Sequence, residues 1–453
     1  MKEFRILSPT AILGYGFPIA SFEAGLAKKP HLIAVDAGSS DPGPYYLGEG
    51  VAFTDFGAVK RDLALILKGA LKLKIPLVIG TAGGSGGAPH LKWCQGIIEA
   101  IAKEERMSFK MAIIGAEFDK GYLQEALAEG IISPLLGVGE LTPDGLGEAT
   151  RVVGQMGVEP FIKALSLGPD VVLAGRAYDP ACFASLPISK GYDWGLALHL
   201  GKILECAAIC CVPGSGSDCV LGTLGDGWFE VEPLNPFRAC TPASVAAHTL
   251  YEKTDPYHLP GPGGSLDLTG CRFEAIDGKV RVTGSRFALA KNYTIKLEGA
   301  RKIGCRTISI AGCRDRAMIE NIQHIIDGVK AQVADNFGKS LGDYFLDFII
   351  YGRDGVMGRL EPTPQTAGCH ELGIIIEAVG NTQGAADTLC SFARSTMLHF
   401  GFEGRRSTAG NLAFPYSPSD FHGGNVYAFC CYHLLKTDDP TGFFPIEMVE
   451  VGS

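Results

Sequence analysis

Leu77-Val-Ile-Gly80-Thr-Ala-Gly-Gly-Ser-Gly-Gly87-Ala-Pro-His90-Leu91 is the stretch whose reading decides the fold. Three apolar residues with no alternation read as a strand buried on both faces. A run of small residues and glycines follows, and Leu91–Glu105 then shows the apolar spacing of a helix. Strand, loop, helix is half of a βαβ unit. The same rhythm recurs through the first half of the chain. Phe4–Leu7, Leu32–Val35, Met111–Ile114 and Val171–Leu173 read as further buried strands, with helices at Lys60–Leu73 and Gly121–Gly130. Alternating buried strands and helices predict an α/β fold with a parallel sheet covered by helices on both faces. Trp194–Cys211 reads as a mostly apolar helix.

The second half is punctuated by Pro233, Pro236, Pro242, Pro256, Pro260 and Pro262. Asp277-Gly278 predicts a hairpin turn before the strand Lys279–Thr283. Strands at Arg306–Ile310, Phe345–Tyr351 and Gly373–Val379 alternate with helices at Asp315–Val333 and Gln383–Phe400, an α+β pattern. The expected division is an α/β domain with the glycine-rich loop over 1–215 and an α+β domain contributing to the site over 216–453.

Composition narrows the classes. At 453 residues with 46% hydrophobic side chains, the chain can bury a sizeable core, and its 60 glycines lack a collagen period. A net charge of −9 speaks against nucleic acid and against an anionic membrane surface as partners. No apolar run is long enough for a membrane span. The first twenty residues, broken by Ser8, Pro9, Gly14, Gly16 and Pro18, read as a strand and loop rather than a leader. The 14 cysteines sit in apolar runs such as Cys206–Cys210–Cys211 and Cys430–Cys431, which predicts buried free thiols in a cytoplasmic protein. With no CxxC pair, a four-cysteine zinc site has no support in the sequence.

In parallel sheets, ligands bind beyond the carboxyl ends of the strands. That rule selects Asp36-Ala-Gly-Ser-Ser-Asp41-Pro-Gly-Pro, the glycine loop, Glu117 with Asp119, and Arg176-Ala-Tyr178-Asp179-Pro180. Gly83, Gly84, Ser85, Gly86 and Gly87 can offer bare N–H groups to a carboxylate or phosphate, with a helix N-terminus behind them; the alternative is a hinge without a ligand. Neither a Walker A loop nor a clean dinucleotide fingerprint is present, so no nicotinamide cofactor is expected. Asp36 and Asp41 can bind Mg²⁺ or another divalent cation, or Asp36 can act as a base; turn formation is the competing reading. Arg176 pairs with Asp179 or with a substrate carboxylate. Asp179, Tyr178 and His90 are the candidate proton-transfer groups, and Arg353, after a second-half strand, is a further candidate for the substrate. Glu377, inside an Ile-rich strand, calls for a partner. The remaining histidines read as structural.

Several longer motifs carry a resemblance. They are Ser8-Pro-Thr…Gly14-Tyr-Gly16, Asp36-Ala-Gly-Ser…Asp41-Pro-Gly-Pro, Ala174-Gly-Arg-Ala-Tyr-Asp-Pro180, Leu196-Ala-Leu-His-Leu-Gly-Lys-Ile-Leu-Glu-Cys206, Ala246-Ala-His-Thr-Leu-Tyr-Glu-Lys253 and Ser407-Thr-Ala-Gly-Asn-Leu-Ala-Phe-Pro415 with Ser417-Pro-Ser-Asp420. Together they make the chain resemble the acyclic terpene utilisation AtuA-like family. The resemblance implies a role in catabolism of branched acids and their acyl-CoA forms, and a small companion protein as partner. It supplies no catalytic positions.

The resulting expectation is a lyase of the hydratase or dehydratase type, with a small anionic hydroxy or branched carboxylic acid, or its CoA thioester, as substrate, in a homo-oligomer. A non-catalytic scaffold for the companion protein and a nucleotide-dependent hydrolase or ligase are the alternatives.

Overall fold

The computed structural model describes residues 2–251, 255–338, 340–364, 368–406 and 408–452. Lys253 and Ser407, at the ends of two of the motifs above, lie outside them. The chain forms two compact units, one of Met1–Arg301 with Phe429–Ser453 and one of Lys302–Ala428.

The first unit is built on a ten-stranded sheet. Its centre is parallel: β1 (Phe4–Ser8), β2 (Leu32–Asp36), β3 (Leu77–Gly80), then Val171–Ala174, then β4 (Phe109–Ile114). The five strands expected from apolar runs are all present, and the strand Val171–Ala174 slots between β3 and β4. Alternation along these strands splits the core. Ile6, Leu32, Ala34, Val78, Ala112, Val172 and Ala174 face one way. Leu7, Ile33, Val35, Ile79, Met111, Val171 and Leu173 face the other. The amphipathic helices Phe56–Leu73 and Ala88–Glu105 cover the second face. Val158–Ser166, Ala181–Ser189 and the almost wholly buried Trp194–Leu204 cover the first.

Antiparallel strands extend both margins. Val220–Leu224 pairs with β1, and Trp228–Pro233, Lys279–Thr283 and Arg272–Ile276 follow outward. At the opposite margin Ile446–Val451 pairs with β4. The break expected near residue 215 is not where the compact units part, because four strands between residues 220 and 283 extend the first sheet and residues 216–301 belong to the first unit. Their short strands and proline-rich connections carry the signature of an antiparallel region, which a sequence separates easily from its parallel neighbour even when hydrogen bonds join the two.

The strand Tyr293–Cys313 serves both units. Residues 296–300 pair with Arg151–Gln155 in the first, and residues 305–313 pair with Leu372–Gly380 in the second. In the second unit Tyr344–Tyr351 adds a further antiparallel strand. Ile322–Phe337 and Gln383–His399 pack on that sheet through Ile325, Val329, Leu389 and Ala393, the expected α+β arrangement. Asn321 divides the single helix expected over 315–333 into Arg316–Glu320 and Ile322–Phe337. Glu377 has the partner its burial demands, the Arg306 guanidinium.

Candidate functional site

The parallel strands deliver their carboxyl ends to one edge of the first unit's sheet, and a cavity of about 250 Å³ opens there. Its wall includes Asp36, Gly38, Ser39 and Asp41 from the loop after β2, and Asp179 from the loop after Val171–Ala174. Glu205 and Cys206, which end the helix Trp194–Leu204, complete it, with Tyr15, Phe53 and Ile209 as apolar cover.

Asp36 is the most unusual group in it. The residue is 6% exposed, and its Oδ1 has no hydrogen-bond partner. Burial, then the charges of Asp179 and Glu205, push its carboxyl well above the usual carboxylate range; nearby Arg176 only partly opposes them. Asp36 is thus held as a neutral acid well past the pH at which a solvated aspartate ionises.

Asp179 is held by a rigid support. Arg176 Nη1 donates to Asp179 Oδ1 at 3.0 Å and to Ala177 O at 2.7 Å. Its Nε and Nη2 donate to the two oxygens of Glu298 at 2.7 and 3.3 Å. Lys296 Nζ adds a second cation 2.7 Å from Glu298. Burial alone would raise the Glu298 carboxyl, but Arg176 and Lys296 hold it at about 2. Thr81, at φ +47°, places its hydroxyl to accept the Ala177 N–H at 3.2 Å. A β-branched residue in the left-handed region is strained, and strain of this kind gathers near functional loops. Glu205 is likewise ion-paired, with Lys202 one turn earlier in the same buried helix. Burial would discharge Lys202, but the Glu205 charge outweighs it and keeps the ammonium protonated.

The sequence-derived candidates therefore fall into three groups. Asp36, Asp41 and Asp179 converge on one cavity. Arg176 is not in the cavity wall: its side chain is 3% exposed and donates to Asp179, Ala177 and Glu298, so it meets the cavity through Asp179. Tyr178 stands next to it in sequence, and burial together with the Glu205 charge keeps its phenol protonated.

The glycine loop forms the second group. Gly83, Gly84, Ser85, Gly86 and Gly87 are all buried. Gly84 and Gly86 donate their N–H groups to Thr81 O and Ala82 O, inside the loop. The anion at the following helix N-terminus is the chain's own Glu117, whose Oε2 accepts the Ala88 N–H at 2.8 Å. His90 is buried as well, its Nε2 3.1 and 3.0 Å from the carbonyls of Tyr46 and Val51. This group braces the loops around the cavity and is absent from its wall.

Arg353 is the third case. It lies on an exposed turn after Tyr344–Tyr351, in the other unit.

Three participants escaped the sequence reading: Glu205, Lys202 and Glu298. The first two carried a signal, since two opposite charges three residues apart in an otherwise apolar buried helix need each other. Glu298 carried none, because its partner Arg176 is 122 residues away. Among the described residues that line the cavity there is no lysine, arginine or histidine, and four carry carboxyl groups. No three of its carboxylates bring ligand atoms within 4.8 Å of one another among the described residues.

Residues 62–216 match the family model described as acyclic terpene utilisation family protein AtuA. The AtuA match covers about a third of the chain, from the helix Phe56–Leu73 to the segment after Cys211. It includes the glycine loop, Arg176, Asp179 and Glu205, and leaves out Asp36, Asp41 and the second unit. It agrees with the family resemblance drawn from the motifs and with a role in catabolism. No curated protein and no solved structure gave a significant match. No helix among the described residues is long and apolar enough to cross a membrane.

Proposed function

We propose that the cavity carries out general acid–base chemistry of the hydratase or dehydratase type on the neutral end of a small hydroxy or branched acid, bound as its CoA thioester. The observation that carries this reading is Asp36: a buried carboxyl, raised well above the usual carboxylate range, with an unpartnered oxygen in the wall of a chamber that also holds a carboxylate positioned by Arg176.

In the dehydrating direction, Asp179 removes the proton next to the thioester carbonyl. Asp36 gives its proton to the departing hydroxyl. One C–H and one C–O bond break, a C=C bond forms, and water leaves. The proton taken by Asp179 returns to Asp36 directly or through solvent. Positioned groups of this kind contribute about 10²–10⁴-fold each. Beside the neutral Asp36, the acidic side chains of Asp41, Asp179 and Glu205 disfavour a free substrate carboxylate here, because like charges repel in a low-dielectric site. A thioester removes that charge, which is why the CoA form is preferred over the free acid.

The test is a panel of 3-hydroxyacyl-CoA and branched enoyl-CoA thioesters beside the corresponding free acids, followed by alkene absorbance. Turnover of at least one thioester is expected, with Asp36→Asn lowering kcat about 100-fold or more while the fold is kept. Turnover of free acids alone, or an Asp36→Asn variant as active as the parent, would overturn the reading. The mechanism needs no metal. Activity lost in EDTA and restored by Mg²⁺ would instead make Asp36 and Asp41 cation ligands.

A further inference from the structure

Outside the carboxylate chamber, one cluster of side chains has no role in the chemistry above. Cys210, Cys211 and Cys240 are all buried, and their three sulfurs lie within 4.8 Å of one another; no other group of three or more His, Cys, Asp or Glu ligand atoms is this tight among the described residues. Two chain segments bring them together. Val212 and Ala239 exchange both backbone hydrogen bonds, at 2.7 and 3.0 Å, as an antiparallel bridge. Counting one residue outward puts Cys211 opposite Cys240, at the close rung of such a ladder, where Cα atoms are about 4.5 Å apart. Their sulfurs are 3.5 Å apart. Cys210 enters from the end of the 3₁₀ turn Ala207–Cys210.

We propose that this cluster is a binding site for a thiophilic metal ion of the zinc class, held by Cys210, Cys211 and Cys240. Zinc–sulfur bonds of about 2.3 Å at tetrahedral angles set neighbouring sulfurs about 3.8 Å apart. Cys211 and Cys240 already stand near that spacing, and the Cys210 sulfur lies within 4.8 Å of both. Three sulfur donors with no carboxylate among them select zinc, or a softer ion, over magnesium or calcium. Each thiol that ligates releases its proton to solvent as the ion enters. The cluster lies close to the surface in sequence: Ile209 and Val212, flanking Cys210 and Cys211, are 44% and 52% exposed. Zinc takes four ligands in such sites, so water or another donor completes the set. Ile209, inside the same turn, lines the carboxylate chamber. An ion here ties that wall to the segment around Cys240. The site is separate from the acid–base reading and is tested without any substrate.

The experiment titrates Co²⁺ into the full-length reduced protein and follows thiolate-to-cobalt charge-transfer absorption. Elemental analysis of protein from zinc-supplemented cells runs beside it. The proposal expects one ion per chain and a charge-transfer band displaced by Zn²⁺. In Cys211→Ser and Cys240→Ser, binding weakens at least 100-fold. Cys94→Ser and Cys390→Ser, with thiols buried elsewhere, keep it. No band and no retained zinc in the reduced parent would overturn the proposal, whatever the variants do. So would a chain two daltons lighter than its reduced mass with a Cys211–Cys240 cross-linked peptide that forms equally well in excess zinc. That result would identify the pair as a disulfide couple instead.

Discussion

The loop Asp36–Pro44 and the loop Gly80–Gly87 leave neighbouring parallel strands at the same edge of one sheet, and they serve opposite ends. The glycine-rich loop is closed. A Cβ on Gly86 would run into the backbone nitrogen of Arg176, and one on Gly84 would stand 2.8 Å from the Cβ of Phe53. Its glycines let backbone pack on backbone. The loop after β2 has fewer glycines and forms a wall of the chamber. The two touch back to back, since a Cβ on Gly38 would sit 2.8 Å from Gly84 Cα. Bare glycine backbone is thus no guide to a ligand unless its N–H groups are known to be free. In this molecule a buried acid with an unpartnered oxygen is the better marker.

The largest expected effect is on the pH profile of catalysis. Asp36 works as an acid only while protonated, and its folded carboxyl is raised. Activity therefore holds through the range where a solvated aspartate has ionised and falls as pH rises through the raised value. Asp36→Asn removes that alkaline limb together with most of kcat. A limb unchanged in the variant would assign it to another group and break the contrast between the loops.

Next is the support beneath Asp179. Glu298→Gln leaves Arg176 buried with half its counter-charge gone, and is expected to destabilise the protein by about 3–5 kcal/mol at pH 7 in urea unfolding. The Glu298 carboxyl is held at about 2 in the fold, below its ordinary value. Its contribution is full above the unfolded value and is lost as pH falls through about 2. The parent should lose stability across that acid window more steeply than the variant. Parallel curves would mean that Arg176 is held by other groups.

The smallest effects separate packing from strain at the two loops. Gly86→Ala meets both a positive φ of +68° and the Arg176 backbone, so about 3 kcal/mol or more is expected. Gly43, at φ +110° and ψ 170°, has nothing within 4 Å of the added carbon, so Gly43→Ala should cost only the backbone strain, about 1–3 kcal/mol. Equal losses would mean that the glycine loop is not packed shut.

The parallel strands were legible because burial on both faces writes uninterrupted apolar runs such as Leu77–Ile79 and Val171–Leu173. The strand-end rule then led to Asp36 and Asp179. The strands that close the sheet were not legible as part of it. Trp228–Pro233 carries glutamates at alternate positions and Ile446–Val451 is broken by Glu447 and Glu450, so both lack the uninterrupted apolar run of the central strands and look like independent pieces. The partners of Arg176 were open in the sequence for a different reason. A guanidinium that follows a buried strand needs a carboxylate, but Asp179 is near in sequence and Glu298 is not, so only the nearer one could be named.

The antiparallel strand Ile446–Val451 shields β4, which is translated about 330 residues earlier. At roughly 5–20 residues per second, a ribosome needs roughly 15 seconds to a minute to bridge that gap. Throughout that interval the nascent sheet has an unprotected flank of backbone donors and acceptors, the geometry from which stray pairing with other polypeptides begins. Completion of the first unit's sheet is accordingly a late event in biosynthesis, and a chaperone acting at the ribosome should raise its yield more than one that acts after release.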